Sequence, residues 1–250
     1  LKWTFSGHTS TVNSVAVDSN GNVYSGSVDE TVKKISPSGE EIWTFSGHTS
    51  TVNSVAVDNN GNVYSGHYGG KVKKISPSGE EIWTFSGHSV YAYSVAVDNN
   101  GNVYSGSYDK TVKKISPSGE EIWTFSGHIN YVQSVAVDNN GNVYSGSDDE
   151  TVKKISPSGE EIWTFSGHIN YVQSVAVDNN GNVYSGSDDE TVKKISPSGE
   201  EIWTFSGHST YVQSVAVDNN GNVYSGSRDK TVKKLFAGIP PKLIGYRILE

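Results

Sequence analysis

A unit of forty residues written six times over constrains this chain more than anything else in it. The units begin at Leu1, Glu41, Glu81, Glu121, Glu161 and Glu201, and residues 121–160 and 161–200 are identical at every position. A unit this short cannot enclose a core of its own. It must bury its apolar faces against its neighbours, so six copies make one continuous domain rather than six separate ones.

The second unit shows what each copy forms. Glu41–Phe45 is a β-prone run, and Val52–Val57 ends in the apolar triplet Val55-Ala56-Val57. A strand covered on both faces by neighbouring sheets need not alternate. Asp58-Asn59-Asn60-Gly61-Asn62 is a turn with Asn-Gly at its centre, as tight hairpins prefer. Residues 63–66 make a third strand and Val72–Ile75 a fourth, and Pro77-Ser78-Gly79 closes a turn into the next copy. Four strands with short connections form one antiparallel sheet, and sheets of this length stack radially as propeller blades. The fold expected is therefore all-β: a six-bladed propeller over residues 1–238, followed by an extension at 239–250 that is unlike the repeat. Leu1-Lys2-Trp3-Thr4-Phe5 is an outer strand without its own inner three, and the last blade ends near Phe236 with three. Pairing the first with the last would close the ring within one chain and remove the open edges, which favours a monomer. The tail at 242–249 could supply that strand instead, and closure between chains is a third route.

Gly47-His48, a Val-rich strand, then Ser-Gly-Ser-x-Asp and Thr-Val-Lys, intact at 105–113, resemble a WD repeat, in register six times over residues 1–236. The resemblance implies a hydrogen-bonded set of His88, Ser105 or Ser107, and Asp109, with equivalents in four other units. The family's strand Trp does not carry over, because Ile115-Ser116 stands there. Trp sits on the outer strand instead (Trp3, Trp43, Trp83, Trp123, Trp163, Trp203), and Ile-Ser-Pro-Ser-Gly-Glu-Glu-Ile-Trp resembles the repeats of quinoprotein-type propellers. That placement implies a Trp that locks one blade to the next, and a ring of such residues would carry much of the core.

The six copies also serve as their own comparison. Apart from the chain ends and Ser19, they differ only in two short windows, one after Gly-His and one after Ser-Gly. The Lys pairs and the Ser-Pro-Ser-Gly turn, read as solvated positions, do not vary, so the differences look targeted. Of fourteen Tyr, six hold a fixed strand position. Seven of the other eight fall in the windows: Tyr68, Tyr91, Tyr93, Tyr108, Tyr131, Tyr171 and Tyr211. Tyr with Ser, Asn and Gln is the composition of adaptable binding loops. Both windows are connections on one face of the disc, the usual partner-binding face in WD-repeat proteins. The expected ligand-binding set is those seven Tyr with Asn130, Gln133, Asp148, Gln173 and Arg228.

Chemistry of other kinds finds little support. Net charge is −8, against the basic surface a nucleic-acid partner needs. No apolar run approaches the length of a membrane span, and no signal peptide is visible. Without Cys there is no thiolate nucleophile or Cys-based metal site, and without Met, Leu1 is not expected to be a translation start. Six of seven His recur one per blade and cannot converge on one ion. His67 replaces the usual Ser while Gly69 replaces the turn Asp, which should leave His48 short of a partner. The Asp-Asn-Asn-Gly-Asn turn lacks the later bidentate Glu of a calcium loop. A sialidase would need an Arg cluster, and the chain has only Arg228 and Arg247. No cofactor, metal or catalytic constellation is expected. The reading is a non-enzymatic scaffold for a protein or peptide. A lectin-like site repeated in two blades and an amplified or designed scaffold without a ligand stand as alternatives.

Overall fold

The computed structural model describes residues 2–235. Expectations that fall on the tail, including a strand at 242–249, lie outside the described residues. Each repeat forms the sheet its pattern demands. In blade 1 (residues 12–45) the strands Val12–Val17, Val23–Ser27, Val32–Ile35 and Glu41–Phe45 pair in chain order, all antiparallel. Blades 2 to 5 (52–85, 92–125, 132–165 and 172–205) repeat it, and blade 6 (212–235) has three strands. The result is a six-bladed propeller, and no helix of the described residues is long and apolar enough to cross a membrane.

The Asx-type hairpin fixes the second strand in each blade. Asp58 Oδ1 accepts the N–H groups of Asn60 and Asn62, and the Tyr64 hydroxyl donates to Oδ2 at 3.0 Å. Gly61 at φ +81° supplies the left-handed residue that this turn requires. The turn carboxylate is thus engaged by its own chain.

The core lies between blades, where five equivalent clusters form. Between blades 1 and 2 it comprises Tyr24, Val32 and Phe45 on one side and Val52, Val55, Val63 and Ile75 on the other. The fixed-position Tyr is its largest fully buried member; the Trp residues mostly pack at its edge, half-buried. Trp therefore carries less of the core than expected, but it does lock blades. Trp43 Nε1–H donates to Pro77 O of the next blade at 3.0 Å, and its ring sits on Gly79. Close approach of the sheets also depends on Gly26, where an added Cβ would lie 2.6 Å from Val52 Cγ1. Nearer the channel the Val55 N–H donates to Ser14 Oγ of the preceding blade at 3.1 Å, a bond repeated at every one of the five interfaces.

The Lys pairs are not solvated positions. Lys33 is buried against Thr44 Oγ1 at 2.6 Å and Glu41 Oε2 at 3.0 Å. Lys34 reaches over the Tyr24 ring and toward Pro77 O of the next blade. Their constancy has a packing reason, which leaves the two windows as the chief variable solvent-facing elements.

Closure is where structure and expectation part. Lys2 to Gly7 belong to no strand, and the sixth sheet has no fourth member among the described residues. Trp3 instead docks on its own first blade, its Nε1–H donating to Pro37 O at 3.0 Å. That is the relation Trp43 has to blade 2, so residues 2–5 stand where the outer strand of a preceding blade belongs. Among the described residues the sixth interface is missing. Val15 is 64 % exposed, where its equivalents Val55 to Val215 are 6 % exposed, and Val232 is 77 % exposed against 0 % for Val32 to Val192. Each side chain left out forgoes roughly 1.5–3 kcal/mol of burial. Docking on blade 1 does not itself prevent the pairing, since Trp43 both pairs with Lys34 and docks on Pro77; the edge of blade 6 simply lies uncovered, away from residues 2–5, among the described residues.

Candidate functional site

The windows meet because backbone hydrogen bonds tie them. In every blade the N–H after the Ser-Gly-Ser or Ser-Gly-His stretch donates to a first-window carbonyl: Tyr68 to Thr51, Tyr108 to Tyr91, Asp148 to Tyr131, Arg228 to Tyr211, all at 2.9–3.1 Å. A polar bracket holds both loops from beneath. His88 Nε2 pairs with Ser105 Oγ at 2.7 Å and Nδ1 with Asp109 Oδ2 at 2.9 Å. The resemblance left Ser105 and Ser107 open; Ser105 takes the histidine, while Ser107 Oγ accepts the Asp109 N–H. Thr111 completes the set by donating its hydroxyl to Asp109 Oδ1. The Thr of Thr-Val-Lys is a member that the residue-by-residue reading missed. Burial pushes the Asp109 carboxyl up, but the bonds from His88 and Thr111 outweigh it and hold the acid well below its usual range.

Blade 2 lacks this bracket. His48 Nε2 keeps Ser65 Oγ at 2.8 Å, but its Nδ1 has no partner, and His67 Nε2 is likewise buried and unpaired. The two rings lie edge to face at 4.8 Å. Burial, reinforced by nearby positive groups, pushes His48 down to about 3 and His67 down to about 4. This matches the expectation that His48 would lose its partner. The seventh histidine is buried in the loop's base, away from the exposed rim.

On that base stands a run of stacked tyrosines. Tyr68 packs on Tyr91 with ring centres 4.3 Å apart, and Tyr91 lies 5.4 Å from Tyr108. Tyr108 stacks on Tyr93 at 4.9 Å and on Tyr131 at 4.4 Å with 7° between planes. The rings bridge blades 2, 3 and 4, and Tyr68, Tyr91 and Tyr131 each keep about two-fifths of their surface exposed. Tyr171 and Tyr211 are similarly exposed but continue no stack; Tyr211 lies under the Arg228 guanidinium at 5.2 Å.

The polar members are engaged unequally. Gln133 Nε2 donates to Asp148 Oδ1 at 2.8 Å and reaches the Tyr108 hydroxyl at 3.4 Å, so Gln133 and Asp148 are both buried. Asn130 turns inward to cap its own loop through the Tyr131 N–H. One blade on, Gln173 holds Asp188 Oδ2 at 3.1 Å, and Asp188 Oδ1 is buried with no partner. Burial raises both Asp148 and Asp188, with the amide bonds acting against it. Identical sequences thus give two different hydrogen-bond settings, because their neighbours differ: Tyr108 on one side, Arg228 on the other.

Inside the ring of loops is a cavity of about 410 Å³ at the channel mouth, to which every blade contributes the residue at one equivalent position, Asn13, Asn53, Tyr93, Gln133, Gln173 and Gln213, with Tyr68 and four serines beside them. Three of those six were not in the expected set, nor were Ile129 and Ile169, which stand 79 % and 83 % exposed at the rim. A signal was available, since the residue one before the Ser that starts Ser-Val-Ala-Val is Asn in blades 1 and 2, Tyr in blade 3 and Gln in blades 4 to 6. Among the described residues no group of three or more His, Asp or Glu could hold a metal ion. The side chains gathered here can stack on a ligand and hydrogen-bond it.

A profile of the WD domain, G-beta repeat matches residues 1–35, 119–155, 159–195 and 199–234, more than half the chain. This chain belongs to the WD-repeat family. The profile named for outer membrane protein assembly factor BamB matches residues 28–128, in line with the mixed repeat pattern. No curated protein sequence matches. Among solved structures, the chain is similar to the computationally designed Ika8 protein at 30 % identity, with a TM-score of 0.82 over 94 % of this chain and 74 % of that one. It is also similar to the WD40 beta propeller domain of Doa1 at 25 % identity, with a TM-score of 0.81 over 89 % of this chain and 77 % of that one. WD-repeat propellers are in general non-enzymatic interaction scaffolds.

Proposed function

We propose that this WD-repeat propeller binds a protein or peptide segment on the face built by its variable windows. The observation that carries the reading is the half-exposed tyrosine stack from Tyr68 through Tyr91, Tyr93 and Tyr108 to Tyr131. Stacked rings lose little side-chain freedom on binding, so an apolar or aromatic side chain laid on them keeps most of its burial energy. Across the mouth stand Asp188, held by Gln173, and the Arg228 guanidinium over Tyr211, so a segment that follows its apolar residue with polar groups finds partners of both signs there. Asn130, Gln133 and Asp148 support the loops between these two sides, and Tyr171, Tyr211 and Arg228 form the opposite rim. The unequal surroundings of Gln133 and Gln173 count against a pair of equal glycan pockets.

The test is selection of binders from a displayed random-peptide library. Peptides enriched on the parent chain should lose at least ten-fold in affinity for a variant with Tyr91, Tyr93, Tyr108 and Tyr131 all changed to Ala, provided its circular dichroism is unchanged. Unaltered affinity would remove the tyrosine face from the account.

A further inference from the structure

We infer that the open faces of blade 1 and blade 6 dock on one another between two copies of this chain, head to tail, so that Lys2 to Phe5 of one copy become the outer strand of the last blade of another. The inference is independent of the ligand face, because it concerns the sides of the blades.

What fits the gap is fixed by the five interfaces already built. The face blade 1 leaves open carries Val12, Val15 and Val17, exposed by 44 %, 64 % and 60 %. In blades 2 to 5 the residues at the first two of these positions are the ones buried against the preceding blade. The face blade 6 leaves open carries Val232, Tyr224 and Gly226. An added Cβ on Gly26 meets Val52 Cγ1 at 2.6 Å, and one on Gly106, Gly146 or Gly186 meets the Val of the next blade in the same way, whereas one on Gly226 meets no described residue within 4 Å. The empty space is the shape of Val12 of a second copy. Ser214 Oγ, at the place where Ser14 accepts the Val55 N–H, is left for the Val15 N–H of that copy.

The strand count matches as well. Among the described residues blade 6 lacks one outer strand, and residues 2–5 carry the outer-strand sequence without a partner, already seated against blade 1 through Trp3 and Pro37. The register follows from blade 1, where Val32 faces Phe45, Lys33 faces Thr44 and Lys34 faces Trp43. Across copies Val232 would face Phe5, Lys233 Thr4 and Lys234 Trp3. Lys33 Nζ lies 2.6 Å from Thr44 Oγ1, so Lys233 and Thr4 would be in direct contact. One partner is lost, since Leu1 stands where Glu41 pairs with Lys33. The partner is a second copy rather than an unrelated protein because every contact on both faces is one this sequence already makes with itself. Repeating a heterologous contact of this kind yields a closed ring or an open chain of copies.

Light scattering on a size-exclusion column decides the mass. The 250-residue chain should elute as a multiple of 26.9 kDa. Gly226→Leu, placed in open space in a lone chain, should fold and elute at the single-chain mass. A cysteine-free chain then allows a register test: Thr4→Cys and Lys233→Cys made in separate chains and mixed should cross-link to a dimer on oxidation. The inference fails if the parent chain stays at 26.9 kDa at every concentration, or if Gly226→Leu leaves the multimer intact. It fails equally if the mixed single variants do not cross-link while the double variant closes within one chain.

Discussion

Blade 2 carries two imidazoles where each other blade carries a histidine and a carboxylate, and the difference should appear in acid. His48 and His67 have folded values near 3 and 4, below the unfolded value near 6.5. The unfolded chain therefore takes up protons first as pH falls. Stability is full above about pH 6.5 and declines toward pH 4, by on the order of 2 kcal/mol for each imidazole at pH 5. The triple change His67→Ser, Gly69→Asp and Lys71→Thr rebuilds the bracket of the other blades; Gly69→Asp alone would collide with the His67 ring. The urea midpoint of this variant should exceed the parent's by more at pH 5 than at pH 7, and an equal gain at both would refute the imidazole origin. The depressed carboxylates act in a lower window. Asp109 and Asp149 lie below the unfolded value near 4, so their contribution is complete above that pH and is lost as pH falls through their folded values. Asp149→Ala should cost about 2–4 kcal/mol by leaving a buried His128 nitrogen unpaired.

Between window and strand, each second hairpin passes through a residue at positive φ. Glu30, Lys110, Glu150, Glu190 and Lys230 adopt φ of 67–72°, and only blade 2 places a glycine there, Gly70. A left-handed residue with a Cβ costs about 1–2 kcal/mol, so Glu150→Gly should raise the thermal midpoint despite the greater freedom of glycine when unfolded. Much at this scale was legible in the sequence. Val52–Val57, Val72–Ile75 and Glu41–Phe45 have the ends their Asn-Gly and Pro-Ser-Gly turns dictate. The Trp lock and the meeting of the two windows were also legible, because strand order alone places those loops at one end. What escaped depended on distance across sheets. Lys33 and Lys34 read as surface because a single sequence does not reveal that Glu41, Thr44 and the next blade's Pro77 stand around them. Tyr108 read as one binding residue among many, although it is the ring on which Tyr91, Tyr93 and Tyr131 converge.

At the scale of the whole molecule, stability in such an array is a sum of blades and of the interfaces between them, so blades with one neighbour are weakest. In the single-chain state of Gly226→Leu, amides of Val232–Leu235 should exchange with solvent faster than those of Val112–Ile115, which lie between two blades. Equal protection would mean that the end blades are covered in some other way. Ring closure by the N-terminal strand, the route the repeat pattern favoured, is the part of the architecture the described residues do not make. A strand with three missing partners and a sheet with one missing strand satisfy the same pattern whether they meet within a molecule or across two.

Three of the five seams, those between blades 1 and 2, 3 and 4, and 4 and 5, consist of the same residues: Tyr and Val against Val and Ile, a glycine admitting a valine, a serine taking an amide proton. The other two differ in detail, with Ala92 in the valine's place between blades 2 and 3 and Leu235 in the isoleucine's between blades 5 and 6. Excision or duplication of the forty residues of blade 4 would therefore leave every remaining seam as good as before, and blade number becomes a quantity that copying errors can alter without damage to folding. Order around the disc is recorded chiefly in the loops. A change in the number of copies would rearrange which tyrosine stands beside which acid, producing a new recognition surface in one step from parts already proven to fold.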